Sequence, residues 1–192
     1  MNILILGPQG AGKGTQAKRI AAEYGLAHIA TGDILRRAID DDTPLGRKVK
    51  PVYESGDLVP DDLMIELIRD RLSRPDAAEG FILDGFPRTF AQAEALDAML
   101  RDIDRQLDLV LELQVPDDVA IERLRRRASF EGRPDDTPEA ISRRLDLYHE
   151  ETEPLVEYYR TRGNVVGIHG DRSENEVFAE IQKALEQAGA VA

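Results

Sequence analysis

Short apolar runs alternate along this chain with longer segments in which apolar residues recur at helical spacing. Such runs, bounded by glycine or polar residues, are typical of buried strands, and the intervening pattern is typical of helices. The predicted strands are Asn2–Leu6, Leu26–Ala30, Phe81–Asp84, Leu107–Gln114 and Val165–His169. This alternation predicts an α/β fold with a parallel sheet of about five strands, covered by helices on both faces, in a single domain over 1–192.

Capping residues and prolines mark where several helices begin. A helix is predicted over Gly12–Glu23, and Thr31 is predicted to cap the next one. Pro60–Asp62 places a proline and two acids where a helix start favours them. Thr89 is predicted to cap a further helix, and Ser173–Glu176 has the pattern of a capping box.

Two segments interrupt the simple alternation. Residues 31–60 are predicted to be helical, between two strands, and residues 128–138 are predicted to be a polar loop. One helix, from Pro116 to Arg127, precedes the loop. A long helix over Pro138–Arg162 follows it and is expected to kink at Pro154.

The segment 7–15 is rich in glycine and connects the first strand to the first helix. Its glycines let backbone N–H groups turn toward phosphate oxygens, and Lys13 supplies a mobile positive charge. One position departs from the general pattern, because Gly14 occupies the place where Ser or Thr ligates magnesium and Thr15 comes one residue later. Magnesium would therefore be held by phosphates and water. A glycine-rich turn without a ligand is the alternative.

Composition acts mainly by excluding classes of function. With no cysteine, the chain has no disulfide, thiolate metal site or cysteine nucleophile. The histidines His28, His149 and His169 have no metal-ligand spacing and are expected to be structural or surface residues. A net charge of −12 disfavours binding to nucleic acid or anionic membranes. Because no apolar stretch has the length of a signal peptide or a membrane span, a cytoplasmic location is expected.

Charged residues near the predicted strand ends and the polar loop are candidates for chemistry. Asp84 ends an apolar strand, where a carboxylate orients magnesium or its waters, although a turn-capping role is the alternative. Arg123 and Arg127 are four residues apart and share one helix face. Asp135 and Asp136 either pair with arginines or stay solvated.

Five short motifs, in order, carry a resemblance to a known family: Gly12–Thr15, Thr31–Arg36, Asp84–Arg88, Arg133–Asp136 and Arg143–Arg144. The set resembles the nucleoside monophosphate kinases, and the adenylate kinases most closely, over almost the whole chain. The resemblance implies the P-loop nucleoside monophosphate kinase fold, with an NMP-binding insertion over 31–60 and a short lid over 128–138. It also implies reversible, direct in-line transfer of the terminal phosphoryl group of Mg-ATP to AMP, giving two ADP.

The resemblance implies a role for each matched residue. The ATP-binding residues would be Gly10, Ala11, Gly12, Lys13, Gly14, Thr15, Arg123, Arg127 and Gly170. The AMP-binding residues would be Thr31, Arg36, Gly85, Arg88, Gln92, Arg133 and Arg144. The catalytic residues would be Lys13, Asp84, Arg88, Arg127, Arg133 and Arg144. No residue would ligate a metal directly. Mg²⁺ would arrive with ATP near Asp84, and no zinc is expected. The family also suggests a monomer whose partners are ATP, AMP and ADP.

Several alternatives remain open from the sequence. Without the resemblance, Gln92 would be an exposed helix residue, and the turn at Gly170 would be an ordinary one. A UMP/CMP kinase shares the same phosphate loop and the Asp84–Arg88 motif, although Thr31 and Gln92 favour AMP. GTP is a possible donor in place of ATP. A nucleotide-binding module without catalysis is the alternative from a different class.

Overall fold

In residues 1–131, 136–163 and 165–189, which the computed structural model describes, five parallel strands form one sheet. The strands are β1 (Asn2–Leu6), β2 (Ala27–Ala30), β3 (Phe81–Asp84), β4 (Leu109–Gln114) and β5 (Val165–His169). Their order across the sheet is β2-β3-β1-β4-β5, which places the first strand in the middle. The predicted fold class is therefore confirmed.

Helices connect consecutive strands and cover the sheet. They are α1 (Lys13–Tyr24), α2 (Thr31–Asp40), α3 (Pro44–Ser55), α4 (Asp61–Leu72), α5 (Phe90–Arg101), α6 (Asp117–Glu131), α7 (Pro138–Leu147), α8 (Pro154–Arg160) and α9 (Glu174–Gln187). A 3₁₀ turn over Pro75–Ala77 precedes β3. No helix in these described ranges is long and apolar enough to cross a membrane.

The side-chain alternation of β1 shows how the sheet separates two cores. Ile3 and Ile5 point to one face, where they belong to a buried cluster that includes residues of α1 and α9. Leu4 and Leu6 point to the other face and join a larger cluster with residues of α4, α5 and α8. Because both faces are buried, every residue of β1 is apolar except Asn2.

Two predicted helix caps are confirmed by hydrogen bonds. The Thr89 hydroxyl accepts from the backbone N–H of Gln92 at the start of α5. At the start of α9, Ser173 and Glu176 make both bonds of a capping box. These caps satisfy helix N–H groups that have no partner within the helix.

The prediction that Thr31 caps α2 is wrong. Thr31 is the first helical residue, and Ala30, which cannot cap with its side chain, precedes it. The Thr31 hydroxyl instead donates to the carbonyl oxygen of Asp84 across 3.3 Å. The reason is tertiary, because β2 and β3 end side by side, with Ala30 opposite Asp84 in the register.

The predicted loop over 128–138 is wrong at its start. Residues 128–131 continue α6, which ends at Glu131 instead of Arg127. These four positions contain no glycine or proline, so a polar composition alone did not end the helix. Residues 132–135 lie outside the described ranges.

The long helix predicted over Pro138–Arg162 is interrupted just before Pro154. The chain forms a π turn over Tyr148–Thr152, between α7 and α8, in which Glu153 N–H donates to Tyr148 O at 2.7 Å. Proline has no N–H to continue the helical ladder, and the α-helical hydrogen-bond pattern gives way to this wider turn before Pro154 is reached. Two strands also begin later than predicted, at Ala27 and Leu109.

Candidate active site

A cavity of about 950 Å³ opens at the carboxyl ends of the strands, where β1 lies between β3 and β4. Ligands of open α/β sheets bind at such switch points. Every residue that the sequence placed in contact with nucleotide lines this cavity, except Arg133, which lies outside the described residues. The fold thus brings into one space residues spread from Gly10 to Gly170.

The loop between β1 and α1 is shaped by glycines in left-handed conformations. Gly10 has a φ of 87° and Gly12 a φ of 91°. A Cβ on Gly10 would lie 2.5 Å from the carbonyl oxygen of Ala120, so the loop packs closely against α6. Ala11 is buried, whereas Thr15 is exposed. Left-handed glycines at a helix N-terminus can direct successive N–H groups into one concavity, which favours an anion.

Lys13 begins α1, and its ammonium group folds back over this loop. Nζ donates hydrogen bonds of 2.8 Å to the carbonyl oxygens of Gly7 and Pro8. Burial lowers the pKa of Lys13 to about 8; the Asp84 carboxylate opposes this shift, and the charges of Arg88 and Arg127 add to it. A bound phosphate would supply the negative charge that this buried ammonium lacks.

Asp84, at the end of β3, lies beside the loop. A Cβ on Gly14 would lie 3.4 Å from its Oδ2, so a larger residue at 14 would crowd the carboxylate. Burial acts to raise the pKa of Asp84, but His28 and the charge of Lys13 outweigh burial, and the pKa is lowered. The carboxylate is therefore ionised at neutral pH.

His28, which the sequence grouped with structural residues, lies against this carboxylate. Its Nε2 is 3.8 Å from Oδ2 of Asp84, beyond hydrogen-bond distance, and is buried without a hydrogen-bond partner. The strand register decides this contact, because His28 is opposite Ile82 and so shares a sheet face with Asp84; the sequence alone carries no signal of that register.

The turn after β3 holds Arg88. Gly85 has a φ of 89°, and a Cβ there would collide with Oγ1 of Thr31. Arg88 Nε donates to the carbonyl oxygen of Gly85 at 2.9 Å. Burial, and then the charge of Arg144, lower the pKa of Arg88, although a guanidinium stays protonated at neutral pH. Two guanidinium groups close together in a buried site favour an anion between them.

Arg36 reaches the same cavity from α2. One of its nitrogens donates to the Tyr53 hydroxyl at 2.7 Å, and its guanidinium pairs with the carboxylate of Asp33. Arg144 NH2 donates to the backbone oxygen of Tyr53 at 3.0 Å, and its guanidinium carbon lies 5.4 Å from the Tyr53 ring centroid. Tyr53 thus contacts two of the predicted AMP-binding arginines, yet a lone tyrosine on a helix carried no signal of this in the sequence.

Gln92, on α5, lines the cavity and is only 1% exposed. Its Oε1 accepts from Arg88 N–H at 2.8 Å, and its Nε2 donates to Oδ1 of Asp61 at 2.8 Å. The interpretation of Gln92 as an exposed helix residue is therefore wrong. One amide hydrogen and one lone pair remain for a ligand.

A buried carboxylate joins two arginines on the far side of the cavity. Asp136 receives two hydrogen bonds from Arg127, at 2.8 and 2.7 Å, and lies 3.4 Å from a guanidinium nitrogen of Arg144. Its side chain is 0% exposed. Pairing of Asp136 with arginines is confirmed, and the solvated interpretation is wrong for Asp136; Asp135 lies outside the described residues.

Arg123 lies one helical turn before Arg127, on α6. Its NH1 donates to the carbonyl oxygen of Gly170 at 2.8 Å. A Cβ on Gly170 would lie 2.6 Å from Cγ2 of Val115, so the backbone passes close to the end of β4. The predicted ATP-side residues Arg123 and Gly170 therefore meet at one end of the cavity.

The carboxylates that the structure describes fit magnesium better than a fully protein-held metal. Among the described residues, no three histidine, aspartate or glutamate side chains are grouped to hold an ion. Magnesium at nucleotide sites keeps waters and phosphate oxygens and takes one or two protein carboxylates. Asp84, beside Lys13, can supply such a carboxylate.

Comparisons with known proteins agree with this geometry. Residues 5–164 match the family model described as adenylate kinase. The chain is 51% identical to an adenylate kinase of Thermus thermophilus, over 95% of this chain and 96% of that protein. It is 48% identical to one of Cyanothece sp., over 96% and 95%, and 49% identical to one of Maricaulis maris, over 97% and 100%. A family match over most of the chain and relatives of nearly equal length, together with this cavity, lead to one conclusion: the chain belongs to the adenylate kinase family.

Proposed function

We propose that this protein transfers the terminal phosphoryl group of Mg-ATP to AMP, reversibly and by direct in-line transfer, giving two ADP. One observation carries the proposal: the cavity has a lysine-bearing phosphate loop on one side and several arginines on the other. Such an arrangement can hold two phosphate-bearing ligands end to end. The family membership and the names of its relatives support the same reaction.

The donor side is assigned to the loop and to α6. In the proposal, backbone N–H groups over Gly10–Thr15 and the Lys13 ammonium bind the ATP phosphates. Arg123 and Gly170, which are joined by a hydrogen bond, would flank the adenine. Arg127 would contact the transferring phosphoryl group. Thr15 is exposed in this structure, which is compatible with a hydroxyl that awaits a ligand.

The acceptor side is assigned to α2, α5, α7 and the turn after β3. Arg36, Arg88 and Arg144 would bind the AMP phosphate, because paired guanidinium groups suit a dianion. Thr31 and Gly85 pack against each other beside that turn, and Gln92 offers one donor and one acceptor to the base. Arg133, which lies outside the described residues, is proposed for the same phosphate.

Magnesium fits beside Asp84, which would orient the ion or its waters. When bound with ATP, the ion neutralises phosphate charge and helps align the phosphates. Lys13 and the arginines share that work from fixed positions. Because no three histidine, aspartate or glutamate side chains among the described residues are grouped to hold an ion, most ligands of the ion would be phosphate oxygens and water.

The transfer step needs no general base. An oxygen of the AMP phosphate attacks the γ-phosphorus, the bond from that phosphorus to the bridging oxygen breaks, and ADP leaves as the other product. Catalysis then consists of alignment and of stabilising the charge that spreads over the transferring group. Lys13, Arg88, Arg127 and Arg144 are placed around one cavity to do this.

Two segments are proposed as the moving parts. Residues 31–60 would close over AMP as the NMP-binding segment, and residues 128–138 would act as a short lid that excludes water during transfer. The Asp57–Arg143 ion pair, at 2.7 Å, already joins the end of the first segment to α7. We also propose a monomer, since one chain supplies residues from every side of the cavity.

The first test is to incubate the purified protein with Mg-ATP and, in parallel, AMP, GMP, CMP, UMP or dTMP, and to separate the nucleotides by ion exchange. Rapid ADP formation with AMP alone, in excess of ATP hydrolysis, would support the proposal. Faster turnover of CMP or UMP would keep the chemistry and overturn the base assignment, and GTP tested as donor would settle donor preference. ATP binding without any product would favour a non-catalytic nucleotide-binding module.

A further inference from the structure

Asp61, the first residue of α4, lies directly behind the predicted base-binding residue Gln92. Its Oδ1 accepts from Gln92 Nε2 at 2.8 Å and from the Thr89 hydroxyl at 3.0 Å. Thr89 in turn accepts from the backbone N–H of Gln92. Asp61 does not line the cavity, whereas Gln92 does. Three side chains from two elements are thus bonded into one network at the edge of the site.

This network leaves only one orientation for the Gln92 amide. An ionised carboxylate has no hydrogen to donate, so the amide atom facing Asp61 must be the nitrogen. The backbone N–H of Arg88 can only donate, so the atom facing it, at 2.8 Å, must be the oxygen. Both ends of the amide therefore require the same assignment, each for its own chemical reason.

A fixed amide distinguishes between purines that differ at one edge. Adenine presents an amino group that donates and a ring nitrogen, N1, that accepts. Hypoxanthine presents a carbonyl oxygen that accepts and an N1–H that donates, which is the reverse order. For a base held in one pose by its phosphate, one amide orientation can pair with only one of these edges, and the other would leave buried polar groups unpaired.

We infer that Asp61 is a positioning residue that locks the Gln92 amide and thereby sets the preference for AMP over IMP. This inference rests on the proposed function, because it concerns the acceptor site of that reaction. The carboxylate acts through Gln92 and does not touch the base. Loss of the acceptor oxygen at position 61 would leave the Arg88 N–H as the only one of these two contacts, so the amide would turn more readily and pair with either edge.

The test compares kcat/KM for AMP and for IMP in the wild type and in Asp61→Ala. The AMP-to-IMP ratio is expected to fall by about tenfold in Asp61→Ala, which is the scale of one well-formed hydrogen bond. Asp61→Asn should keep the wild-type ratio, because its amide oxygen can accept the same two bonds. Asp62→Ala is the matched control; it removes an exposed carboxylate from the same helix start and should leave the ratio unchanged.

Each outcome separates the inference from the function beneath it. If the wild-type protein did not phosphorylate AMP, both the proposed function and the inference about Asp61 would be overturned. If the wild type is active but Asp61→Ala keeps the wild-type ratio of kcat/KM for AMP to that for IMP, only the inference is overturned. Equal falls in kcat/KM for the two substrates would be such a result. A ratio in Asp61→Asn as low as in Asp61→Ala would also overturn it. Should Asp61→Ala not fold, Asp61→Leu fills the same space without an acceptor oxygen, and it should lower the ratio to the same extent; an unchanged ratio in that variant would overturn the inference.

Discussion

The phosphate loop and the arginine cluster on the other side of the cavity provide positive charge by opposite means. The loop is a continuous segment in which glycine conformations and a helix start shape the backbone, with Lys13 folded over it. The cluster consists of side chains from distant elements, of which Arg127 and Arg144 are held by the buried Asp136. Local backbone geometry builds one half of the site, and tertiary contacts between long side chains build the other.

This difference has an energetic consequence. The glycines allow the backbone conformation of the phosphate loop, and that conformation needs no counter-charge from elsewhere in the protein. The guanidinium groups of the arginine cluster carry like charges and repel one another, so they require a counter-charge. The buried carboxylate of Asp136 supplies it. The loop should therefore keep its shape when residues elsewhere in the protein are changed, whereas the arginine cluster should lose its arrangement when the carboxylate of Asp136 is removed.

The largest expected effect comes from removing the one charge that the loop contributes. Lys13→Met should lower kcat/KM for AMP phosphorylation by about a thousandfold, because a fixed donor to the transferring charge is lost. The variant loses two hydrogen bonds to the carbonyl oxygens of Gly7 and Pro8, but the glycine conformations and the helix start still shape the loop, so circular dichroism and the melting temperature should change little. Steady-state kinetics with a coupled ADP assay would measure it.

Lys183→Met, at an exposed position of α9, is the control for loss of a lysine charge and should behave like the wild type. Turnover of Lys13→Met within a few fold of the wild type would contradict the role assigned to the loop.

A smaller kinetic effect, with a larger effect on stability, is expected on the cluster side. Asp136→Ala should leave the buried Arg144 and the partly buried Arg127 without their carboxylate, which costs about 3 kcal/mol of unfolding free energy. Activity should fall by about a hundredfold as the two guanidinium groups lose their positions. Urea denaturation and kinetics on the same preparation would measure both.

Asp146→Ala, at an exposed position of α7, controls for loss of a carboxylate and should leave both quantities near the wild-type values. If Asp136→Ala were as stable as that control, the cluster would not depend on its buried counter-charge, and the contrast with the loop would disappear.

The smallest expected effect is a pH dependence of ATP binding, which arises from the Lys13 ammonium in the phosphate loop. The lowered pKa of Lys13, about 8 in the free protein, means that the ammonium form which binds phosphate is lost as the pH rises through 8. The Kd for ATP should therefore rise by about tenfold between pH 7.5 and 9, since a pH unit above a pKa removes most of the charged form. Isothermal titration calorimetry would measure it.

Lys13→Met should bind ATP more weakly but without this pH dependence, because it lacks the titrating group. An equal rise in Kd in both proteins would assign the effect to another group and leave the ammonium of Lys13 charged throughout.

Sequence patterns predicted those parts of the structure that depend on neighbours in the chain. The strand–loop–helix unit around Lys13, the cap at Thr89 and the capping box at Ser173 were all read correctly, because each is formed within a few residues. The loop that the sequence predicted from its glycines has Gly10 and Gly12 in left-handed conformations. The site residues could be grouped only through their resemblance to a family, since spacing alone does not place Arg36 near Arg88.

Other features were decided by how separate elements of the structure pack against one another. Thr31 bonds to Asp84 instead of capping its helix because β2 and β3 end together, a neighbour relation that is absent from local sequence. Asp136 is buried because α6 and α7 bring Arg127 and Arg144 to it. The amide of Gln92 has one orientation because Asp61 arrives from another helix.

The sequence by itself thus determined the order of strands and helices, the shape of the phosphate loop and the residue types available for catalysis. Only the tertiary structure decided which carboxylate meets which arginine, which histidine lies behind Asp84 and how the base-binding amide is turned. Backbone conformation follows from steric limits and hydrogen bonds within a few residues. The partner of a long polar side chain instead depends on how distant elements pack, because a buried charge or amide is stable only where a complementary group reaches it.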